Sequence, residues 1–104
     1  MTVIAAATLT LKPGTYPAFF EQHGKTKAVL ERLGARNIRL MGTMSGDAGG
    51  ALAVSMEFDD YASYGKFTDA MVADPEGLKM LTSIGTDENP IVSYQQTVWS
   101  VIDA

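Results

Sequence analysis

The stretch ALAVSMEFDDYASYGKFTDAMV, residues 51–72, changes from one hydrophobic period to another near its middle. In its first part, apolar side chains at every second position predict a strand from Ala51 to Phe58. In its second part, apolar side chains recur every three or four residues and predict a helix that runs through Val72. The acidic pair Asp59-Asp60 supplies an N-cap, so the chain is expected to pass directly from strand to helix.

Upstream of this stretch, the sequence predicts a strand, a helix and another strand. Thr2–Leu11 is rich in β-branched and small residues with period-two alternation, which predicts the first strand. Thr15–Leu33 has apolar residues at helical spacing and stops before Gly34, so it predicts a long helix. Ala35–Met44 predicts the next strand, and the glycine-rich turn at residues 45–50 joins it to the strand at 51–58 as a hairpin.

Downstream, Pro75 interrupts the second helix, because the residue before a proline is pushed away from helical geometry. A shorter helix is expected to begin at Pro75 and to stop at Gly85, and Ile91–Ile102 predicts the last strand. The order β-α-β-β-α-β over residues 1–104 therefore predicts one α+β domain. Its expected architecture is a ferredoxin-like sandwich of four antiparallel strands with the helices on one face.

Composition excludes several classes of protein. With 46% hydrophobic and 19% charged residues, the chain is too apolar to be disordered, and 104 residues suit a single domain. The net charge is −4 and no basic stripe is present, so we expect no nucleic-acid partner. The absence of cysteine excludes disulfides and thiolate chemistry, and with one histidine we expect no metal site.

The N-terminal apolar run is too short for a membrane segment. Val3–Ala7 is far below the roughly 20 residues of a membrane span, and it lacks the basic residues that precede a signal-peptide core. We interpret it as part of the first strand. A cytoplasmic protein without membrane contact is therefore expected.

The predicted sheet carries apolar residues on both faces, although its helices can cover only one. In the last strand, Val92, Tyr94 and Val98 are expected on one face, and Ile91 and Trp99 on the other. Because both faces need burial, we expect a second copy to pack sheet against sheet, which makes the protein a homodimer.

Several segments together indicate a family. They are Lys12-Pro13-Gly14 before the first helix, the glycine-rich hairpin, the strand end Glu57-Phe58-Asp59, and Met71–Glu76 followed by Leu78 and Leu81. With these segments, and over nearly all of its length, the sequence resembles the dimeric α+β barrel superfamily, including the antibiotic-biosynthesis monooxygenases and the NIPSNAP-like small domains.

The resemblance implies a homodimer around a central β-barrel, with a pocket between sheet and helices in each subunit. The superfamily includes cofactor-independent oxygenases, haem-degrading enzymes, isomerases, cyclases and proteins without a known reaction. Its haem degraders use a histidine beyond the first helix, and residues 59–84 of this chain contain none. We therefore expect no cofactor.

Two residues are candidates for catalysis. His23 is the only histidine and lies on the apolar side of the first helix, where it could act as a general acid or base in the pocket. The structural alternative is a partly buried histidine satisfied by a neighbouring polar group. Tyr64 is the second candidate, because a buried tyrosine hydroxyl needs a partner that a ligand can supply.

Larger side chains are candidates for ligand contact, with a role in the core as the alternative. The candidates are Tyr16, Phe20, Phe67, Met56 and Trp99. Tyr94 and Trp99 lie five residues apart on one strand, so without a bulge they face opposite sides and only one can line the helix-side pocket.

Three functions remain open at this point. The first is a cofactor-independent, monooxygenase-like enzyme, or a related isomerase or cyclase, that acts on an apolar or aromatic substrate. The second is a dimeric module that binds a hydrophobic small molecule without transforming it. The third is a dimer whose role is protein interaction.

Overall fold

The computed structural model describes residues 1–46 and 51–103. Four strands and three helices follow in the order β1 (Val3–Leu11), α1 (Tyr16–Arg32), β2 (Arg36–Gly42), β3 (Leu52–Phe58), α2 (Tyr61–Ala73), α3 (Pro75–Ser83) and β4 (Ile91–Ser100). Every predicted element is present, with ends within two residues of those expected. The predicted turn at residues 45–50 lies partly outside the described residues.

The strands form one antiparallel sheet in the order β2-β3-β1-β4. The two central strands are the first and third in the chain, and the helices connect strands that are not neighbours. This is the ferredoxin-like α+β arrangement that the order of elements predicted.

The strand register assigns each side chain to one face of the sheet. Val3, Ala5 and Leu9 of β1 are buried in the core beneath the helices. Because directly paired residues share a face, Val98 opposite Ala5 and Tyr94 opposite Leu9 also lie on the helix side. The alternate residues of β1 lie on the other face, which no helix covers and which we call the open face.

A register shift at the start of β4 corrects the predicted faces of that strand. Thr10 pairs with Ser93, but Leu11 pairs with Ile91, so one extra residue is accommodated between them. The shift brings Ile91 to the helix side, where it is 9% exposed, although the alternation predicted it on the same face as Trp99. Val92 is left 43% exposed.

Fewer residues of α1 are buried than the apolar spacing of its sequence predicts. Phe19, Val29 and Leu30 are buried, whereas Phe20 is 54% exposed and Tyr16 is 40% exposed. The buried face of α1 is therefore a narrow stripe. Aromatic residues beside that stripe remain at the surface.

Carboxylates fix the starts of α2 and α3. Asp60 accepts a hydrogen bond from the backbone N–H of Ser63 at 2.7 Å, which confirms the predicted cap of α2. Asp74 caps α3 in the same way through the N–H of Gly77 at 3.0 Å. At Gly77 the two helices approach so closely that a Cβ would lie 2.5 Å from the carbonyl oxygen of Met71.

Asp74 also joins α3 to the end of α1. Both nitrogens of the Arg32 guanidinium fork donate to its carboxylate at 2.9 Å, and Arg32 also reaches Glu76 at 3.4 Å. The bonds from Arg32 and from the N–H of Gly77 lower the pKa of Asp74 to about 2. This ion pair connects the end of α1 to the start of α3. Over residues 1–46 and 51–103, no helix has the length and apolarity needed to cross a membrane.

Candidate functional site

A cleft of about 460 Å³ lies between α1 and α3 and is closed at its base by the start of β4. Its apolar lining comes from Val29 of α1, Met80, Leu81 and Ile84 of the α3 region, and Ile91 of β4. Gln22, Thr26 and Val29 project from α1 into the cleft because residues three and four apart lie on one side of a helix. The register shift that turns Ile91 inward supplies the base.

A polar cluster centred on Asn89 occupies one part of the cleft. Asn89 is only 7% exposed, although it lies in the loop before β4. Its Oδ1 accepts from the backbone N–H of Ile91 at 2.9 Å and, at the longer distance of 3.5 Å, from Nε2 of Gln22. Its Nδ2 donates to the hydroxyl of Ser83 at 2.8 Å. One side chain thus connects β4, α1 and α3 around the cleft.

Sequence patterns do not single out Asn89 as a residue of a site. It stands in the polar segment between Gly85 and the last predicted strand, and a polar residue in such a loop is ordinarily exposed. Gln22 is polar and belongs to the side of the first helix that the apolar spacing predicts to face outward. The one available signal is that Asn89 precedes Pro90 at the start of a strand, where the extended backbone allows an Asn side chain to bond to a nearby N–H.

The predicted catalytic residue Tyr64 lies in an aromatic cluster on α2 and β3. Its ring centroid is 5.4 Å from that of Phe58, and Phe58 in turn is 5.0 Å from Phe67. The hydroxyl of Tyr64 donates to Oε1 of Gln96 on β4 at 3.4 Å. Burial raises the pKa of Tyr64, and the nearby Tyr61 and Tyr94 raise it further, so the phenol is neutral at physiological pH.

Two of the predicted ligand contacts belong to the core. Phe67 is 5% exposed and Met56 is 6% exposed, and both pack among the buried residues under the helices. Phe67 also lines a second hollow of about 380 Å³ between the end of α1 and α2. Arg36 and Asp59 line the same hollow and form an ion pair at 2.7 Å.

The remaining candidates on α1 form a separate group beside the cleft. The imidazole of His23 is 5.7 Å from the ring of Phe19, and Phe20 is 5.8 Å from that same ring. Successive helical residues turn by about 100°, so His23, Phe20 and Tyr16 lie on the flank of α1 next to the cleft-lining residues, and none of the three lines it. Partial burial lowers the pKa of His23, and the positive charge of Lys27 lowers it further.

Trp99 lies away from all of these residues. It pairs with Ile4 on the open face and is 59% exposed, whereas Tyr94 is the residue that faces the helices. Of these two residues, Tyr94 is therefore the one on the helix side, and Trp99 lies on the open face. The reason is the period of two along β4 between these residues, which no bulge interrupts.

Metal-binding groups are not clustered in the part of the chain that is described. Over residues 1–46 and 51–103, no group of three or more His, Asp or Glu side chains is placed to hold a metal ion.

No protein-family model matches the chain, and no curated protein matches its sequence. Solved structures match over nearly its whole length. A DABB-family protein with a ferredoxin-like fold from Mesorhizobium loti is 16% identical, with 98% of each chain covered and a TM-score of 0.73. An uncharacterised NIPSNAP-domain protein from Burkholderia xenovorans is 16% identical, with 96% of this chain and 94% of that one covered and a TM-score of 0.74.

A third match carries a named activity. SnoaB, a cofactor-independent oxygenase from Streptomyces nogalater studied as a mutant, is 12% identical, with 99% of this chain and 95% of that one covered and a TM-score of 0.70. Together these likenesses show that the chain adopts the ferredoxin-like α+β fold of the DABB, NIPSNAP and oxygenase structures, which confirms the resemblance to the dimeric α+β barrel superfamily at the level of the fold.

Proposed function

We propose that this protein binds an apolar small molecule in the cleft between α1 and α3. The observation that carries the proposal is the combination of an apolar lining with one polar cluster around Asn89. Small-molecule sites are mostly apolar, with a few placed polar groups, and their volumes are about 300–1,000 Å³. The cleft, at about 460 Å³, falls within that range.

The walls of the cleft are held by polar contacts at both ends of α3. Arg32 and Asp74 connect α1 to the start of α3, and Asn89 connects its end to α1 and β4. A site fixed in this way loses little conformational entropy when a ligand enters. Burial of apolar surface then contributes a favourable binding free energy. Binding of this kind requires no chemical step.

Catalysis of the cofactor-independent oxygenase type is a second candidate, and the similarity to SnoaB favours it. In that case His23, kept neutral by its lowered pKa, would accept a proton from an apolar or aromatic substrate, and Tyr64 would donate a hydrogen bond. An isomerase or cyclase would use the same two groups. The two residues lie in separate aromatic clusters, so this candidate requires a substrate that spans them.

We also propose a homodimer, formed through the open face of the sheet. Ile4, Ala6 and Trp99 give this face an apolar strip, and Met41 on β2 adds to it. Packing against a second copy would remove that strip from water. The remaining alternative is a dimer whose role is to interact with another protein. We also propose that the protein is cytoplasmic.

Filling the cleft tests the binding proposal. We expect the unaltered protein to bind the neutral fluorophore N-phenylnaphthylamine. Thr26→Trp should abolish most of this binding, because an indole at this position occupies the volume of the cleft. Fluorescence titration gives the affinity, and circular dichroism checks that the variant is folded.

The matched control is Ala28→Trp, which adds the same side chain to the exposed side of α1. It should bind the fluorophore as the unaltered protein does. Absence of binding to the unaltered protein, or equal binding by both variants, would refute the proposed site.

A charge on the open face tests the dimer. Thr97 pairs with Ala6 on that face and is exposed in a single chain, so Thr97→Asp leaves the fold of one subunit intact but places an unpaired charge in the interface. Sedimentation should show about twice the chain mass for the unaltered protein and a shift toward one chain mass for Thr97→Asp. Ala28→Asp, on the exposed side of α1, should stay dimeric. A monomeric unaltered protein contradicts the proposal.

The pH dependence of stability tests the state of His23. Its folded pKa is lowered below 6.5, so the unfolded chain binds the proton more readily and stability must fall as the pH drops below about 6.5. Because His23 is the only histidine, we expect the unfolding free energy to decline between about pH 7.5 and about pH 5.5, and His23→Leu to remove most of that decline.

Lys27→Gln serves as the control, because it removes the second of the two causes that lower the pKa of His23. It should reduce the decline in unfolding free energy without abolishing it. Denaturant unfolding at both pH values measures the effect. An unchanged decline in His23→Leu would contradict the account. A large loss of stability in that variant at about pH 7.5 would show that His23 has a structural role and is not a catalytic candidate.

A further inference from the structure

Two lysines at the mouth of the cleft have no acidic partner among the described residues. Lys25 of α1 and Lys79 of α3 line opposite walls, and both are exposed. Within residues 1–46 and 51–103, the ion pairs involve Lys27, Arg32 and Arg36 on the cationic side, and neither of these two lysines.

Among the described lining residues, a single carboxylate lies at the same mouth, and it already has a partner. Glu76 lines the cleft, but its Oε1 lies 3.4 Å from the guanidinium of Arg32, which partly neutralises it. The mouth therefore carries two free ammonium groups against one paired carboxylate. The net charge of the chain is −4, so the mouth of the cleft is a positively charged region on an acidic protein.

The interior of the cleft has the opposite character. Val29, Leu81, Ile84 and Ile91 offer apolar surface, and the uncharged side chain of Asn89 is already engaged in three hydrogen bonds within the protein. A ligand that complements both regions has an apolar body for the interior and a negative charge for the mouth.

We propose that the ligand of the cleft is an amphipathic anion, an apolar molecule that carries a carboxylate or comparable acidic group, with Lys25 and Lys79 contacting the acidic group. This proposal rests on the proposed function, since it specifies the chemical class of ligand for the same cleft. The two ammonium groups attract the anion, while Met80, Leu81 and Ile84 hold its apolar part.

A matched pair of fluorophores separates the charge from the apolar body. Anilinonaphthalene sulfonate and N-phenylnaphthylamine share the same aromatic body, and only the first carries an anionic group. The unaltered protein should bind the sulfonate more tightly, by about fivefold, since exposed charge pairs each contribute little. Raising the ionic strength from about 0.01 M to about 1 M should remove this preference, because the screening length falls from roughly 30 Å to roughly 3 Å.

The double variant Lys25→Gln with Lys79→Gln localises the effect. It should weaken binding of the sulfonate by about fivefold and leave binding of the neutral fluorophore unchanged. Lys27→Gln with Lys66→Gln removes the same charge from α1 and α2 at positions that do not line the cleft, and it should keep the preference.

The outcomes distinguish the two proposals. If the unaltered protein binds neither fluorophore, the proposed function fails. If it binds both equally, or if the two double variants behave alike, the cleft binds apolar molecules without selecting an anion, and only the inference drawn here is overturned. If Lys25→Gln with Lys79→Gln weakens the binding of both fluorophores equally, the preference for an anion is overturned as well, because the two lysines would then be needed for the structure of the cleft.

Discussion

The side chain of Asn89 is the contact on which the candidate site depends. It is a buried amide that bonds to the N–H of Ile91, to Gln22 and to Ser83, and so joins the start of β4 to α1 and α3. A buried amide is stable only when its donors and acceptors are satisfied, so these partners cannot separate without a cost in free energy. At the start of α3, the ion pair between Arg32 and Asp74 provides a second contact with α1. The cleft lies between α1 and α3, in the space between these two contacts.

The second constraint is that the helices cover one face of the sheet only. Val3, Ala5 and Leu9 of β1 are buried under the helices, and Val3 and Ala5 are 1% and 0% exposed. Their neighbours on the open face have no such cover, and β4 is exposed along nearly its whole length. A single chain therefore leaves apolar surface in water, which is the physical basis of the proposed homodimer. The cleft lies on the opposite side of the sheet, so the proposed ligand site and the proposed dimer interface are different surfaces.

The sequence was sufficient for the fold because its signals are local. The alternation that ends at Phe58, the cap at Asp60 and the break at Pro75 each depend on a few neighbouring residues, and the structure contains all three. The site was harder to predict because it depends on contacts between distant segments. The register shift that buries Ile91 and the burial of Asn89 arise only when β4 meets β1 and α1. The candidates that the sequence suggests are aromatic or titratable side chains together with Met56. The structure distributes them among the core and its edge, the surface of α1 and the open face.

The central claim, that the cleft between α1 and α3 is the binding site, can be tested most directly by methyl NMR during titration with N-phenylnaphthylamine. The aromatic ring currents of the ligand shift the methyl signals that it contacts. The account predicts that the largest changes occur at Met80, Leu81, Ile84 and Ile91, which line the cleft. It predicts small changes at Ile4 and Met41 on the open face. Changes centred on those two residues, or no changes at any methyl group, would contradict it.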